Sequence, residues 1–166
     1  MQAIILAGGL GTRIKKKFPN LPKPLIKLQN KSLIEHQINK LISSNITSIL
    51  ILCRYMPERI KSEINKINKE KNLYKDPIKV FVEDNNLGTA GAIYQAKHLL
   101  NENFLVLYGD TYLDVHLKRF VKFYNRDSNI DGLIFVHPNS HPYDSDVIIE
   151  GENNLIQDIS PYPHKT

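Results

Sequence analysis

The architecture of this chain follows from a segment near its beginning, Ile4-Ile5-Leu6-Ala7-Gly8-Gly9-Leu10-Gly11-Thr12-Arg13. Its first part is a short apolar run, which is the pattern of a buried strand. Its second part is a loop with three glycines, whose backbone can adopt positive φ and whose amide N–H groups can approach a ligand closely. Amide groups arranged in this way form a concave site for anions. The segment therefore predicts a strand that is followed by an anion-binding loop.

Two basic side chains accompany this glycine loop. Arg13 closes it, and Lys23 follows within the sequence Pro22-Lys23-Pro24. Arginine presents a planar fork of donors, whereas lysine is a mobile point charge, and both suit phosphate oxygens. The loop and its two cations together predict a polyphosphate site.

Two common phosphate-binding motifs do not fit this loop. A P-loop requires lysine and then serine or threonine after its last glycine, but Gly11 is followed by Thr12 and Arg13. A dinucleotide-binding fingerprint requires a third glycine where Ile14 stands, and an acidic residue about 20 positions later. Residues 29–31 offer no carboxylate. A tight turn without any ligand stays open as an alternative.

Composition limits the classes of function. A chain of 166 residues suits one domain with a real core. The 22 Lys and Arg residues exceed the 17 Asp and Glu residues, which favours anionic ligands. The lysines are scattered without a basic, aromatic stripe, so we expect no nucleic-acid partner. Cys53 is the single cysteine, which excludes an internal disulfide and favours a reducing, cytoplasmic location. No signal peptide is recognisable, and no apolar run approaches the ~20 residues of a membrane span, so we expect no membrane partner.

Apolar strands and amphipathic helices alternate along the chain. Strands are expected at residues 48–53, 78–83, 104–108 and 131–136, helices at residues 33–42, 57–71, 90–100 and 117–124, and a β-hairpin at residues 147–159. This alternation is typical of an α/β fold, a three-layer α/β/α, Rossmann-like, mostly parallel sheet. Ligands of such sheets bind beyond the carboxyl ends of the strands.

Three loops that directly follow predicted strands can therefore meet in one cleft. They are the glycine loop, residues 83–88, and Gly109-Asp110. Mg²⁺ prefers carboxylate and phosphate oxygens and is held by one or two protein carboxylates. Asp110 is the candidate metal ligand, because it follows a strand and a glycine that leaves room. Its alternative role is to cap the next helix.

These motifs resemble the sugar-phosphate nucleotidyltransferase family. The glycine loop with Pro22-Lys23-Pro24-Leu25, then Leu87-Gly88-Thr89-Ala90-Gly91, then Tyr108-Gly109-Asp110 follow the order of that family's pattern over roughly the first 110 residues. The chain is most similar to heptose 1-phosphate and mannose 1-phosphate guanylyltransferases. The resemblance implies the nucleotide-diphospho-sugar transferase type of fold. It also implies one nucleotidyltransferase domain over residues 1–166 that is incomplete at its C-terminal end.

The resemblance implies a role for each matching residue. The catalytic residues would be Arg13 on the outer phosphates, Lys23 near the α-phosphate, and Asp110 as the ligand of the cofactor Mg²⁺. The nucleotide-binding residues would be Leu6, Ala7, Gly8, Gly9, Gly11, Thr12, Arg13, Lys23, Glu83, Gly88 and Thr89. The family generally adds a second aspartate from its carboxyl-terminal part, and no residue of this chain is assigned to that role.

The identity of the nucleotide is predicted from Glu83. In the resembled family this position faces the edge of the base, and many members that use uridine or thymidine nucleotides have glutamine there. An ionised carboxylate only accepts hydrogen bonds. Guanine offers two adjacent donors, whereas uracil and thymine place acceptors on both sides of one donor. We therefore expect GTP, unless Glu83 merely ends a strand in solvent.

The expected reaction transfers GMP from GTP to a sugar 1-phosphate of the heptose or mannose type and releases pyrophosphate. The resemblance places acceptor specificity and the usual oligomer contact in a continuation beyond residue 166. Two alternatives stay open. The acceptor could be a hexose 1-phosphate, choline phosphate or the molybdenum cofactor, or the chain could be a regulatory nucleotide-binding module without turnover.

Overall fold

The computed structural model describes residues 1–12, 14, 16–126, 130–138 and 145–163. The chain forms two compact units, Met1–Lys122 and Phe123–Thr166. The first unit contains the central sheet and its helices, and the second contains a β-hairpin.

The elements of the first unit alternate as the sequence predicts. In chain order they are β1 (Gln2–Leu6), β2 (Lys27–Leu28), β3 (Lys31–Ser32), α1 (Leu33–Ser43), β4 (Ile49–Cys53), α2 (Pro57–Glu70), β5 (Lys79–Val82), α3 (Gly88–Gln95), β6 (Phe104–Tyr108) and α4 (Leu117–Tyr124), which ends just past the unit border. Short 3₁₀ turns occupy Lys23–Leu25 and Lys97–Leu99.

The central sheet is parallel throughout its four strands, in the order β5-β4-β1-β6. The first strand therefore lies inside the sheet, with β4 on one side and β6 on the other. Ala3, Ile4 and Ile5 in β1 have no solvent exposure. A strand buried on both faces reads as a continuous apolar run rather than an alternating one, which explains the pattern at the start of the sequence.

Helices cover both faces of this sheet, because alternate residues of a strand point to opposite faces. Ile5 belongs to a core that includes Ile38 of α1 and Ile64 of α2, and Leu117 of α4 also joins it. Ile4 belongs to a second core, which includes Ala92 of α3 and Ala96, the residue that follows α3. The predicted three-layer α/β/α arrangement is confirmed.

The helix ends agree with the local sequence in two cases and differ in one. Ser32 caps α1, and its hydroxyl accepts a hydrogen bond from the Glu35 amide at 3.3 Å. Pro57 occupies the first turn of α2, where a missing amide proton costs nothing. The helix predicted over residues 90–100 is instead α3, which begins at Gly88 and ends at Gln95. The chain then tightens into the 3₁₀ turn Lys97–Leu99.

The second unit contains the predicted hairpin. Strands β7 (Val147–Glu150) and β8 (Ile156–Ser160) pair antiparallel around a turn that includes Glu152–Asn154. The strand predicted at residues 131–136 is wrong, since these described residues form no strand. Phe135 and Val136 are each more than half exposed. An apolar run becomes a strand only where it finds a neighbouring strand to pair with.

None of the helices in the described ranges combines the length and the apolar character that a membrane span requires.

Candidate functional site

A cavity of about 420 Å³ lies where the four parallel strands end. Each strand contributes a residue to its wall directly or soon after its last residue: Ala7 after β1, Arg54 after β4, Glu83 after β5 and Asp110 after β6. This is the edge at which ligands bind in open parallel sheets. The sheet therefore brings the predicted loops together.

Every predicted site residue that the structure describes lines this cavity. They are Leu6, Ala7, Gly8, Gly9, Gly11, Thr12, Lys23, Glu83, Gly88, Thr89 and Asp110. The remaining predicted residue, Arg13, lies outside the described residues.

The glycine loop leaves the sheet in a conformation that its glycines permit. The Ala7 amide donates to the Leu52 carbonyl at 2.7 Å, which extends the pairing of β1 with β4. Gly11 has φ +57°, in the left-handed region that favours glycine. A Cβ on Gly9 would have no heavy atom within 4 Å, so this part of the backbone is open to a ligand. The loop has the accessibility that an anion site requires.

Gly8 permits the close approach of Glu83. A Cβ on Gly8 would collide with Oε1 of Glu83 and lie 3.2 Å from its Cδ. The carboxyl group thus lies against the backbone of the glycine loop, in space that any larger residue at Gly8 would fill.

Lys23 and Asp110 form an ion pair at the cavity. Lys23 Nζ donates to Asp110 Oδ2 at 2.7 Å, across 87 positions of sequence. Their side chains are 37% and 41% exposed, so both remain accessible to a ligand. Asp110 does not cap the next helix, since α4 begins only at Leu117. The alternative structural role for Asp110 is therefore excluded.

Gly109 fixes the position of Asp110. Its amide donates to the Leu6 carbonyl at 2.8 Å, which continues the pairing of β1 with β6. A Cβ on Gly109 would lie 2.9 Å from that same carbonyl oxygen and 3.2 Å from Cγ2 of Ile5. Only glycine lets the two strand ends approach this closely, and this approach places Asp110 beside the glycine loop.

Glu83 is a buried acid in the cavity wall, with 7% of its surface exposed. Its amide donates to the Cys53 carbonyl at 2.9 Å, so the pairing of β5 with β4 holds its backbone in place. Burial raises the pKa of Glu83, and the positive charge of Arg54 partly opposes that rise. Burial, with a smaller contribution from Glu83, raises the pKa of Cys53 to about 11. The alternative of a solvent-exposed Glu83 is wrong.

The predicted site residues do not include every residue of the wall. Leu10, Pro24, Arg54, Asn86 and Ala92 also line the cavity. Arg54 directly follows β4, at the edge where ligands bind in parallel sheets, but the sequence alone assigns it no role. Its Nε atom is buried without a hydrogen-bond partner in the described part of the chain.

The chemistry of this cavity suits a polyanion. Open backbone amides and the Lys23 ammonium group can hold phosphates, and the Asp110 carboxylate can hold a divalent cation that phosphates also bind. The described residues contain no group of three or more His, Cys, Asp or Glu that could hold a metal by themselves. A divalent cation here would therefore take some of its ligands from the protein and the others from a phosphate.

The chain is similar to curated mannose-1-phosphate guanyltransferases. Mannose-1-phosphate guanyltransferase of Aspergillus oryzae is 31% identical over 157 residues, which are 93% of this chain and 42% of that protein. Mannose-1-phosphate guanyltransferase beta-B of Xenopus laevis is 32% identical over 161 residues, or 95% and 44%. The chain thus spans less than half the length of the curated relatives it matches.

Solved structures show the same fold. A putative glucose-1-phosphate thymidylyltransferase from Bacillus anthracis superposes with a TM-score of 0.76 at 21% identity, covering 98% of this chain and 65% of that one. HddC from Yersinia pseudotuberculosis, complexed with GMP-PN, gives 0.68 at 24% identity, covering 95% and 68%. These likenesses confirm the predicted type of fold.

A family model described as Nucleotidyl transferase matches residues 2–165. With nearly every residue inside that match, the chain belongs to the nucleotidyl transferase family.

Proposed function

We propose that this chain carries the nucleotide site of an enzyme that transfers GMP from GTP to a sugar 1-phosphate. A phosphate oxygen of the sugar attacks the α-phosphorus of GTP and forms a new P–O bond. The bond from the α-phosphorus to the bridging oxygen breaks, and its electron pair leaves with pyrophosphate. The attacking phosphate is largely ionised near neutral pH, because its second pKa is about 6, so no general base is required.

Electrostatic positioning is the main task of such a site, since reactant and nucleophile are both anionic. The open amides of Gly8 to Thr12 suit the triphosphate, and Lys23 is accessible to the α-phosphate. We assign Arg13 to the departing pyrophosphate on the family pattern alone. The observation that carries the proposal is the meeting of the glycine loop, Lys23 and Asp110 around one cavity at the strand ends.

We assign Asp110 as the protein ligand of Mg²⁺. Its donor chemistry fits, because it is a partly exposed carboxylate next to a predicted phosphate site. When bound, the metal would neutralise charge that develops on the phosphate oxygens. The ion pair of Lys23 with Asp110 at 2.7 Å shows that this carboxylate accepts a cationic partner.

We assign GTP as the nucleotide on the position and chemistry of Glu83. The buried carboxyl group borders the cavity, and an ionised carboxylate matches the adjacent N1–H and N2–H₂ donors of guanine. The relatives named mannose-1-phosphate guanyltransferase favour the same nucleotide. They also favour mannose 1-phosphate as the acceptor, with heptose 1-phosphate as the second candidate. A cytoplasmic location remains part of the proposal and rests on the single buried cysteine.

The test is pyrophosphate release from GTP and Mg²⁺ in the presence of single acceptors. Mannose 1-phosphate, a heptose 1-phosphate, glucose 1-phosphate and choline phosphate should be compared at equal concentration. Release that depends on a sugar 1-phosphate supports the proposal. Tight GTP binding without release with any acceptor contradicts it and favours a nucleotide-binding module.

Two matched pairs of variants test the assigned residues. Lys23→Met and Asp110→Asn break the ion pair of the cavity, whereas Lys40→Met and Asp114→Asn break a second surface Lys–Asp pair at 3.4 Å. The first two should lower pyrophosphate release about a hundredfold or more, which is the size expected for one electrostatic group that stabilises a transition state. The second two should leave it unchanged. Equal losses in both pairs would contradict the assignment.

A further inference from the structure

Arg54 and Glu83 occupy equivalent positions directly after two neighbouring strands. Cys53 of β4 is in register with Val82 of β5, and each of these residues is followed by one member of the pair. Both side chains line the cavity at the strand ends. The parallel register therefore holds an arginine and a glutamate at the same height of the sheet, on the same side of the site.

Arg54 has no role in the phosphate chemistry assigned above, yet its placement is unusual for a surface arginine. Its Nε atom is fully buried and has no hydrogen-bond partner within the described residues. Burying an unpaired donor on a cation costs free energy. A benefit elsewhere is expected to offset this cost, and Glu83 is the nearby group on which the charge of Arg54 acts.

The surroundings of Glu83 leave Arg54 as the group that favours its ionised form. Gly8 packs against its carboxyl group without a side chain. Cys53 on β4 carries a thiol whose pKa is raised to about 11, so it is neutral near pH 7. Lys23 and Asp110 line the same cavity but pair with each other. Burial itself favours the neutral acid.

We propose that Arg54 is a specificity-determining residue, which keeps the Glu83 carboxylate ionised and thereby makes the cavity prefer guanine over uracil. This inference rests on the proposed function, in which Glu83 faces the base. A carboxylate offers two acceptors to the two donors of guanine. A neutral carboxyl group offers one donor and one acceptor, which suits the edge of uracil better. The charge state of Glu83 therefore decides between the two bases, and Arg54 biases that state.

The test is the ratio of the dissociation constants of UTP and GTP, measured by calorimetry between about pH 5 and pH 8. The triphosphate titrates alike in both nucleotides, so its protonation cancels in the ratio. The wild-type ratio should fall as the pH is lowered and Glu83 becomes protonated. In Arg54→Met the ratio should begin to fall at a pH about one unit higher, which is the effect expected when one nearby opposite charge is removed. At a pH within the shifted range, the ratio is then about tenfold below wild type.

Four controls separate this role from a structural one. Arg54→Lys should restore the wild-type pH profile, because it restores the charge. Glu83→Gln should give a low ratio at every pH, and adding Arg54→Met to it should change the ratio no further. Arg59→Met removes the charge of an exposed arginine on α2, outside the cavity, and should leave the ratio unchanged. Thermal unfolding of each variant identifies those that fold.

Several results would overturn the inference. If Arg54→Met has the wild-type ratio at every pH, or if it weakens both nucleotides equally, Arg54 does not act through Glu83. If Arg54→Met and Glu83→Gln have additive effects on the ratio, the two residues act independently. A wild-type ratio near one at every pH refutes the base assignment itself, and the inference with it. A ratio that depends on Glu83 but not on Arg54 refutes the inference alone.

Discussion

Gly109→Ala tests whether the close approach of two strand ends maintains the site. The new Cβ would lie 2.9 Å from the Leu6 carbonyl oxygen, 3.2 Å from Ile5 Cγ2 and 3.4 Å from Pro24 Cγ. The nearest of these atoms belongs to the backbone of the central strand, and it already accepts the Gly109 amide at 2.8 Å. The clash can be relieved only by moving β1 and β6 apart at this edge.

The cost follows from two opposing effects. Overpacking of a well-packed position costs about 1–3 kcal/mol, and weakening the hydrogen bond adds up to about 1 kcal/mol. Replacing glycine returns roughly 0.5–1 kcal/mol, because the unfolded chain loses freedom. We expect a net loss of about 2 kcal/mol in the free energy of unfolding. For a chain of this size that lowers Tm by about 4–8 °C.

Thermal unfolding followed by circular dichroism measures this change. Gly9→Ala is the matched control, since its Cβ would meet no heavy atom within 4 Å and should shift Tm by less than about 2 °C. If Gly109→Ala unfolds at the same temperature as wild type and the control, the strand ends are not as tightly packed as described, and Gly109 is not required to position Asp110.

Three further changes test other parts of the first unit. Burial raises the pKa of Glu83, so ionisation of this carboxyl group opposes folding, and the free energy of unfolding falls as the pH rises through that pKa. In urea unfolding, Glu83→Gln should therefore have a higher free energy of unfolding than wild type at pH 7 but not near pH 4. Cys53 has no exposed surface and a pKa of about 11, so a thiol reagent at pH 8 should label it only after unfolding. The Asn68 side chain joins α2 to the start of β5, because it donates to the Ile78 carbonyl at 3.0 Å and accepts from the Ile78 amide at 2.9 Å. Asn68→Ala removes both hydrogen bonds and should lower the free energy of unfolding in urea by about 2 kcal/mol.

The sheet was predictable because burial leaves a clear mark on its strands. Residues 104–108 were expected as a strand and form β6 with the same limits. The order of the strands was not predictable, since it depends on pairings such as Gln2 with Phe104, which no local pattern encodes. The failed strand at residues 131–136 has the same cause, because its apolar pattern contains no information about a partner.

The site was predictable where a sequence motif indicates a loop at the end of a strand. The glycine loop and Asp110 were both expected at strand ends, and both line the cavity. The direct contact of Lys23 with Asp110 was not, because a proline-rich loop of unknown course separates Lys23 from the sheet. Arg54 was assigned no role because a single arginine after a strand has no distinctive pattern until the register with β5 is known.

The interior position of β1 has a consequence for synthesis of the protein on the ribosome. The strand that carries the glycine loop is translated before either of its neighbours, and the neighbour on one side ends only at Tyr108. Contacts between such distant segments form late, since closing a long loop costs entropy before the contact forms. A nascent polypeptide that ends before β6 has an exposed, apolar β1 edge, and its cavity still lacks Asp110. The residues of β1 are thus made well before the sheet around them is complete, and chaperones have the most reason to engage the chain during this interval.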